Sequence, residues 1–132
     1  MTPTEALTAL GDAIRAALPA AGYPDVVVYV NPLDQVETPC IMVIGGELDT
    51  ASVGGGVTYA ARAVALGYRL DVAGGHTLTD DLTIYAIRQA CTDLPNAGWN
   101  GAAVPSAYTV GGIDYLGRES SVHIRFDPKE GP

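Results

Sequence analysis

Basic residues are scarce in this chain of 132 residues. Seven Lys and Arg stand against 15 Asp and Glu, which gives a formal net charge of −8 when the two histidines are neutral. Sequence-independent binding to DNA or to anionic lipid depends on clustered Lys and Arg. The charge balance therefore excludes both functions.

Long apolar runs and large aromatic residues are also rare. Phe126 and Trp99 are the single Phe and Trp, whereas the hydrophobic fraction of 48% is mostly Ala and Val. This composition favours a thin sheet with closely packed helices. The apolar runs at 26–30 and 40–44 fall far short of the ~20 residues that a membrane helix needs. The first residues lack the basic and apolar regions of a secretory signal, so we expect neither a signal peptide nor a membrane partner.

The two cysteines lie in apolar surroundings. Cys40 belongs to a strand-like run and Cys91 to a helical run. We predict two buried free thiols in a reducing cytoplasm, and a disulfide between them stays an open alternative.

Catalytic and metal-binding motifs are missing from the sequence. Gly54-Gly55-Gly56 is not followed by the Gly-Lys-Ser/Thr of a phosphate-binding loop. His76 lies near Asp80 and Asp81, but no third ligand type is close in sequence. No serine sits in a Gly-x-Ser-x-Gly elbow. We therefore predict no catalytic residues, no metal site and no cofactor.

Hydrophobic periodicity and turn residues predict seven elements. They are a helix from the Thr2-Pro3-Thr4-Glu5 start to Pro19, strands over 26–30, 40–44 and 59–72, a helix that Thr77 or Thr79 caps and Pro95 ends, a strand over 107–115 with a bulge at Gly111-Gly112, and a strand over 120–126 after a turn at 116–119. This α-β-β-β-α-β-β order predicts an α+β fold with a mixed or antiparallel sheet. We expect one domain, residues 1–132, with a flexible tail at 127–132.

The strand at 59–72 is the most informative segment. Large apolar residues such as Val64 and Leu66 occupy its even positions, and Ala61, Ala63 and Ala65 its odd positions. Such alternation predicts a strand of about 12–14 residues, roughly 40–45 Å long. One end should project from the domain as a long hairpin paired with the continuation of the strand at 40–44, which Gly45-Gly46 ends. The small odd face lets another element pack very close.

The second helix has an unusually wide apolar face. At 100° per residue, its apolar side chains spread over an arc of about 200°. Either the first helix or another subunit should therefore lie beside it.

The element order resembles that of the tail terminator proteins of long-tailed, siphovirus-type bacteriophages. The resemblance runs over about residues 4–127. It includes the N-terminal helix, the Val-rich strand, the loop from Pro32 to Pro39, the strand Cys40-Ile-Met-Val-Ile-Gly45, the glycine-containing hairpin, the acid-capped helix and the closing hairpin.

The resemblance implies a non-catalytic structural protein of the virion, made in the cytoplasm of the bacterial host. Such proteins form a ring, a hexamer, at the head-proximal end of the tail tube, where they stop tube growth and offer a surface for head joining. The implied partners are further copies of the chain, the tail tube protein and a head-completion protein, with genomic DNA passing through the lumen unbound. Another neck or tail-completion protein is one alternative, and a small α+β ligand-binding domain or enzyme is another.

The long strand and the loop before it supply the candidate contact residues for a neighbouring subunit or the tube. These residues are Glu47, Asp49, Val53, Val57, Tyr59, Arg62 and Arg69. For the two arginines, a solvated side chain or a cross-strand ion pair within the subunit is the alternative to an ion pair between subunits.

Overall fold

Two helices and a six-stranded mixed sheet form an α+β fold. The structure is a computed structural model that describes residues 1–31, 35–49, 56–70 and 73–127. The strands are β1 (Val27–Val30), β2 (Cys40–Asp49), β3 (Val57–Arg69), β4 (Ala97–Ala102), β5 (Ser106–Val110) and β6 (Ile113–Phe126). Helix α1 is Pro3–Ala17, and helix α2 consists of the consecutive segments Gly75–Asp81, Leu82–Arg88 and Gln89–Asp93. The order contains one strand, β4, that the sequence pattern did not predict.

Strands β3 and β6 form the centre of the sheet. The strand order is β1-β2-β3-β6-β4, and β5 also pairs with β6. Only the β1–β2 pair is parallel among the described strands; the other pairs are antiparallel. Because β6 is 14 residues long, β5 lies along its first half and β4 along its second half.

Helix α1 begins as the sequence predicts. The Thr2 hydroxyl accepts a hydrogen bond from the Glu5 amide at 3.2 Å, and Pro3 occupies the first turn. Gly11 allows close packing on β1, since a Cβ at this position would lie 2.6 Å from Val30 Cγ2.

Helix α2 begins earlier than predicted. Its cap is Gly74, which has a φ of 89°, and neither Thr77 nor Thr79 caps it. The Thr79 hydroxyl instead donates to the His76 carbonyl at 3.0 Å, from inside the helix. Asp80 is consequently beyond the first turn, where the helix dipole has little influence.

The middle of α2, Leu82–Arg88, is a π-helix. The buried positions of α2 come in pairs that repeat every four residues: Leu78/Thr79, Leu82/Thr83, Ala86/Ile87 and Ala90/Cys91. In a regular α-helix a four-residue repeat drifts by about 40° per repeat around the axis. The wider π-helical turn opposes this drift and keeps the buried pairs on one side. The prediction placed every residue at intervals of about 100°, as in a regular α-helix. For this reason it gave an apolar arc wider than the stripe that α2 buries.

Helix α1 lies beside α2, so the apolar face of α2 is covered within the subunit. Both helices pack on one face of the sheet and form the helix-side core with β3. This core includes Leu10 and Ile14 of α1, Leu82 and Ile87 of α2, and Ala61, Ala63 and Ala65 of β3. The small odd face of β3 is thus the surface on which the helices pack.

Gly45-Gly46 was predicted to end strand β2, and this prediction is wrong. The strand continues to Asp49. The register shifts between Gly45 and Leu48. A Cβ at Gly46 would lie 2.5 Å from the Ala60 carbonyl oxygen, and one at Gly45 would overlap the Tyr59 hydroxyl. These glycines permit a close approach inside a strand, and they do not terminate it.

The predicted turn at 116–119 is also wrong, because these residues lie inside β6. The turn is formed by Gly111 and Gly112, with φ of 59° and 78°, and it joins β5 to β6. Gly117, in the middle of β6, leaves space for the ring of Tyr108 on β5.

The face of the sheet opposite the helices carries a second apolar group, the outer cluster. Its buried members are Cys40, Met42, Val64, Leu66 and Tyr115. Val36 and Tyr108 pack against them from the side. The Glu37 amide donates to the Tyr29 hydroxyl at 3.0 Å and holds the segment before β2 against this face.

Adding a methyl group at Gly117 should destabilise the fold. A Cβ there would overlap the Tyr108 ring and lie 2.9 Å from Leu66 Cδ2. We expect Gly117→Ala to lower the free energy of unfolding by about 1–3 kcal/mol. Urea denaturation followed by circular dichroism measures the change.

Gly56→Ala is the matched control, because the added Cβ would lie 3.8 Å from the nearest atom, the Phe126 carbonyl oxygen. It should cost no stability. Equal stability of the two variants would contradict the packing of Tyr108 on Gly117.

Candidate subunit interface

Four strands lie side by side at the end of the sheet where β2 leads into β3, here called the hairpin end. Leu48 of β2 pairs with Tyr59 of β3, Tyr59 with Ile124 of β6, and Ile124 with Ala97 of β4. Residues 46–49 of β2 are exposed. The β2–β3 pairing reaches Asp49 and Thr58, and the tip of the predicted hairpin lies outside the described residues.

The face of this end that points away from the helices is polar. Arg62 Nη1 lies 3.2 Å from Glu119 Oε1, and His123 Nδ1 lies 3.0 Å from Asn100 Oδ1. The His123 ring lies against Gly98, where a Cβ would overlap it. Gly46, Glu47 and Ser121 help to line an open groove of about 440 Å³ along this face.

The Arg62–Glu119 pair joins neighbouring strands within one subunit. The Arg62 side chain is 48% exposed and that of Glu119 is 28% exposed. Solvent screening at such exposure limits an ion pair to about 0–1 kcal/mol of stability. Both charges consequently remain accessible to a partner at little cost to the fold. The intrasubunit alternative thus describes Arg62 in this structure.

The other predicted contact residues are divided between the surface and the core. Glu47 and Asp49 are exposed at the end of β2, and Arg69 is exposed at the far end of β3. Val57 and Tyr59 are buried on the helix side, at 7% and 8% exposure, so they support the hairpin end from within. Their burial leaves these two side chains little surface for a partner in this structure. Val53 lies outside the described residues.

The opposite end of the sheet carries an apolar patch that the sequence reasoning missed. The turn-end patch consists of Tyr68, Leu70 and Ile113, which are 38–49% exposed. The Leu70 amide donates to the Asp114 carbonyl at 3.2 Å, which holds the end of β3 next to the β5–β6 turn. In the sequence, Tyr68 and Leu70 continue the apolar even positions of the long strand, which was the available signal. In the structure, the register shift between Leu66 and Arg69 interrupts this alternation.

Two carboxylates of α2 attach the helix to other parts of the subunit. Asp80 forms an ion pair with Arg118 of β6, and Asp81 accepts a hydrogen bond from the Tyr23 hydroxyl. The hydrogen bond to Asp81 raises the pKa of Tyr23. Within the described ranges, no group of three or more His, Cys, Asp and Glu residues is placed to hold a metal ion.

Cys40 and Cys91 are buried free thiols, as predicted. Cys40 belongs to the outer cluster and Cys91 to the helix-side core, on opposite faces of the sheet. Burial raises the pKa of Cys40 to about 12 and that of Cys91 to about 11. Both thiols are thus protonated and unreactive at neutral pH.

Neither helix in the described part of the chain has the length and apolar character of a membrane span. No protein-family model matches the sequence, and no curated protein matches it either.

The native protein should resist thiol alkylation. At pH 8 we expect iodoacetamide to modify neither cysteine of the folded chain and both cysteines in urea, as read by intact mass. Because the folded pKa values lie above the ordinary value of 9.0, ionisation above about pH 9 favours the unfolded chain. Stability should therefore fall as the pH rises through 9. Rapid alkylation of native protein at pH 8 would contradict the burial of these thiols.

Proposed function

We propose that the chain is a structural protein of a bacteriophage virion, a tail terminator. Copies of it form a closed ring, a hexamer, on the head-proximal end of the tail tube. The ring stops tube elongation and presents a surface for the head-completion protein. The subunit performs no catalysis in this role.

The position of the exposed surfaces carries the proposal. A ring subunit that sits between a tube and a head needs two lateral surfaces for its neighbours and two axial surfaces for the partners. The sheet has open strands at its lateral edges, and its two ends carry the exposed hairpin end and the turn-end patch. The 13 residues of β3 separate these ends by about 43 Å.

The apolar face of α2 supplies no part of this argument, because α1 covers it within the subunit. The support comes from the sheet. Val104 between β4 and β5 is 81% exposed and Leu48 at the hairpin end is 44% exposed. Exposed apolar side chains at both an edge and an end of one small sheet favour a protein with several neighbours.

The net charge suits a channel for DNA. A ring of subunits that each carry −8 repels the phosphate backbone, so DNA passes through the lumen without binding. Glu47 and Asp49 at the hairpin end contribute to this charge on the exposed part of β2. The acidic balance permits the proposed role and does not by itself identify it.

Loss of the protein should leave tails without length control. In a phage whose genome encodes this chain, we expect purified virions to contain it by mass spectrometry. Deletion of its gene should give overlong or uncapped tubes in electron micrographs, since only a terminator limits elongation. Absence from the virion would refute every viral role, and tails of normal length would indicate a neck or completion protein instead.

A pair of surface variants tests the axial surfaces in the same phage. Leu70→Asp places a charge in the turn-end patch, and Tyr85→Asp places one on α2, where Tyr85 is 58% exposed. In phage that carries Leu70→Asp in place of the wild-type protein, we expect overlong tails or tails without heads. In phage that carries Tyr85→Asp, we expect normal particles. Normal particles with Leu70→Asp would remove the turn-end patch from the proposal.

A further inference from the structure

We propose that copies of the chain join edge to edge, with β4 of one subunit pairing with the exposed part of β2 of the next. The occupant of each edge is thus a second copy, and the contact is a head-to-tail extension of the sheet. This inference rests on the ring of the proposed function for its closure, and it assigns the lateral contact of that ring.

Strand direction supports this pairing. At the hairpin end, β2 and β3, β3 and β6, and β6 and β4 are all antiparallel neighbours. Strand β4 therefore runs opposite to β2. A neighbour added at β4 through its own β2 continues the antiparallel alternation without a break. Because the two edges differ, the contact is heterologous and repeats from subunit to subunit.

The two edges are also open in the same rows of the sheet. Strand β1 pairs with β2 only at Cys40–Val43, so the described strands leave Ile44–Leu48 with β3 alone. Strand β4, six residues long, pairs only with β6 among the described strands. Leu48 pairs with Tyr59, Tyr59 with Ile124, and Ile124 with Ala97. Leu48 and Ala97 therefore lie in one row, at the same level of the sheet. A subunit added without stagger thus brings open strand against open strand.

Outside these rows two features interrupt the edges. Arg15 of α1 donates from Nη2 to the Val28 carbonyl at 2.9 Å and occupies the edge of β1. The row of Val28 runs through Ile41 and Ala65 to Arg118. At that level on the other edge, Pro105 separates β4 from β5, and proline cannot donate to a ladder. Strand β5 also pairs only with β6 among the described strands. The matching rows and these two interruptions favour the hairpin end for the contact.

The charges at the two edges allow a neighbour with an acidic β2. No charged residue occurs between Asp93 and Asp114, so the β4 edge repels no part of a chain with a net charge of −8. On the helix side, Arg88 of α2 lies 5.5 Å from the centre of the Trp99 ring of β4. The incoming β2 carries Glu47 beside Leu48. An acidic β2 would thus meet an uncharged strand that has one arginine over its helix-side face.

Cysteine pairs placed across the proposed contact test it. We expect the double variant Leu48→Cys/Ala97→Cys, oxidised with diamide, to give a ladder of cross-linked species up to the closed ring in non-reducing electrophoresis. Glu47→Cys/Asn100→Cys tests a shifted register in the same way. Within one subunit, Leu48 and Ala97 are three strand spacings apart, about 14 Å, which no disulfide spans. Any bond formed therefore joins two copies.

Single variants and a displaced pair serve as controls. Wild-type protein should give no ladder, because Cys40 and Cys91 are buried. Leu48→Cys/Gln89→Cys places the second thiol on the exposed side of α2 and should also give none. A dimer from Ala97→Cys or Asn100→Cys alone would show that β4 pairs with a second β4, which overturns the head-to-tail contact. Absence of a ladder with both edge pairs, in variants that keep the wild-type circular dichroism spectrum, overturns it as well.

The result is independent of the phage experiment. A ladder together with tails of normal length in the deletion would keep the edge contact and refute the terminator role. Overlong tails in the deletion together with no ladder would keep the terminator role and refute the edge contact.

Discussion

The approach of two helices to the alanine face of β3 is the contact on which the fold depends. Ala61, Ala63 and Ala65 are 0–2% exposed beneath side chains of α1 and α2. Because β3 is paired on both sides, this contact places both helices on one face of the sheet. On the other face, side chains of β5 and of the segment before β2 pack against the outer cluster. The result is a single helix layer on a sheet whose edges have few covers.

The treatment of those edges differs between the two sides of the sheet. Helix α1 packs next to β1, so Arg15 reaches the Val28 carbonyl and occupies part of that edge. Helix α2 packs over β3 and β6, and its C-terminal part reaches β4 from above the helix-side face through Arg88 and Trp99. A cation over an aromatic ring covers a face of the strand and leaves its backbone edge open. The asymmetry of the helix layer thus produces the asymmetry of the edges.

Periodicity predicted the elements whose side chains alternate and missed those that backbone geometry decides. The alternation of β3 gave its length correctly, and Thr2 with Glu5 marked the start of α1. The sequence pattern did not predict strand β4, because Ala97–Ala102 contains two glycines and no alternation. Its pairing with β6 defines it as a strand. The glycines at 45–46 and 117 looked like turns because sequence does not show which side chain approaches them. The π-helical segment likewise follows from packing and has no signature of its own.

The candidate interface was accessible to sequence reasoning only through strand parity. Residues 57, 59, 61, 63 and 65 share one face of β3, so the burial that the alanines require also buries Val57 and Tyr59. Arg62 has the opposite parity and lies on the polar face. An edge contact has even less signature in the sequence, because backbone N–H and C=O groups form it and most side chains are compatible with it. Its location depends on strand order and direction, which fix that β4 and β2 run oppositely at the two edges of one sheet end.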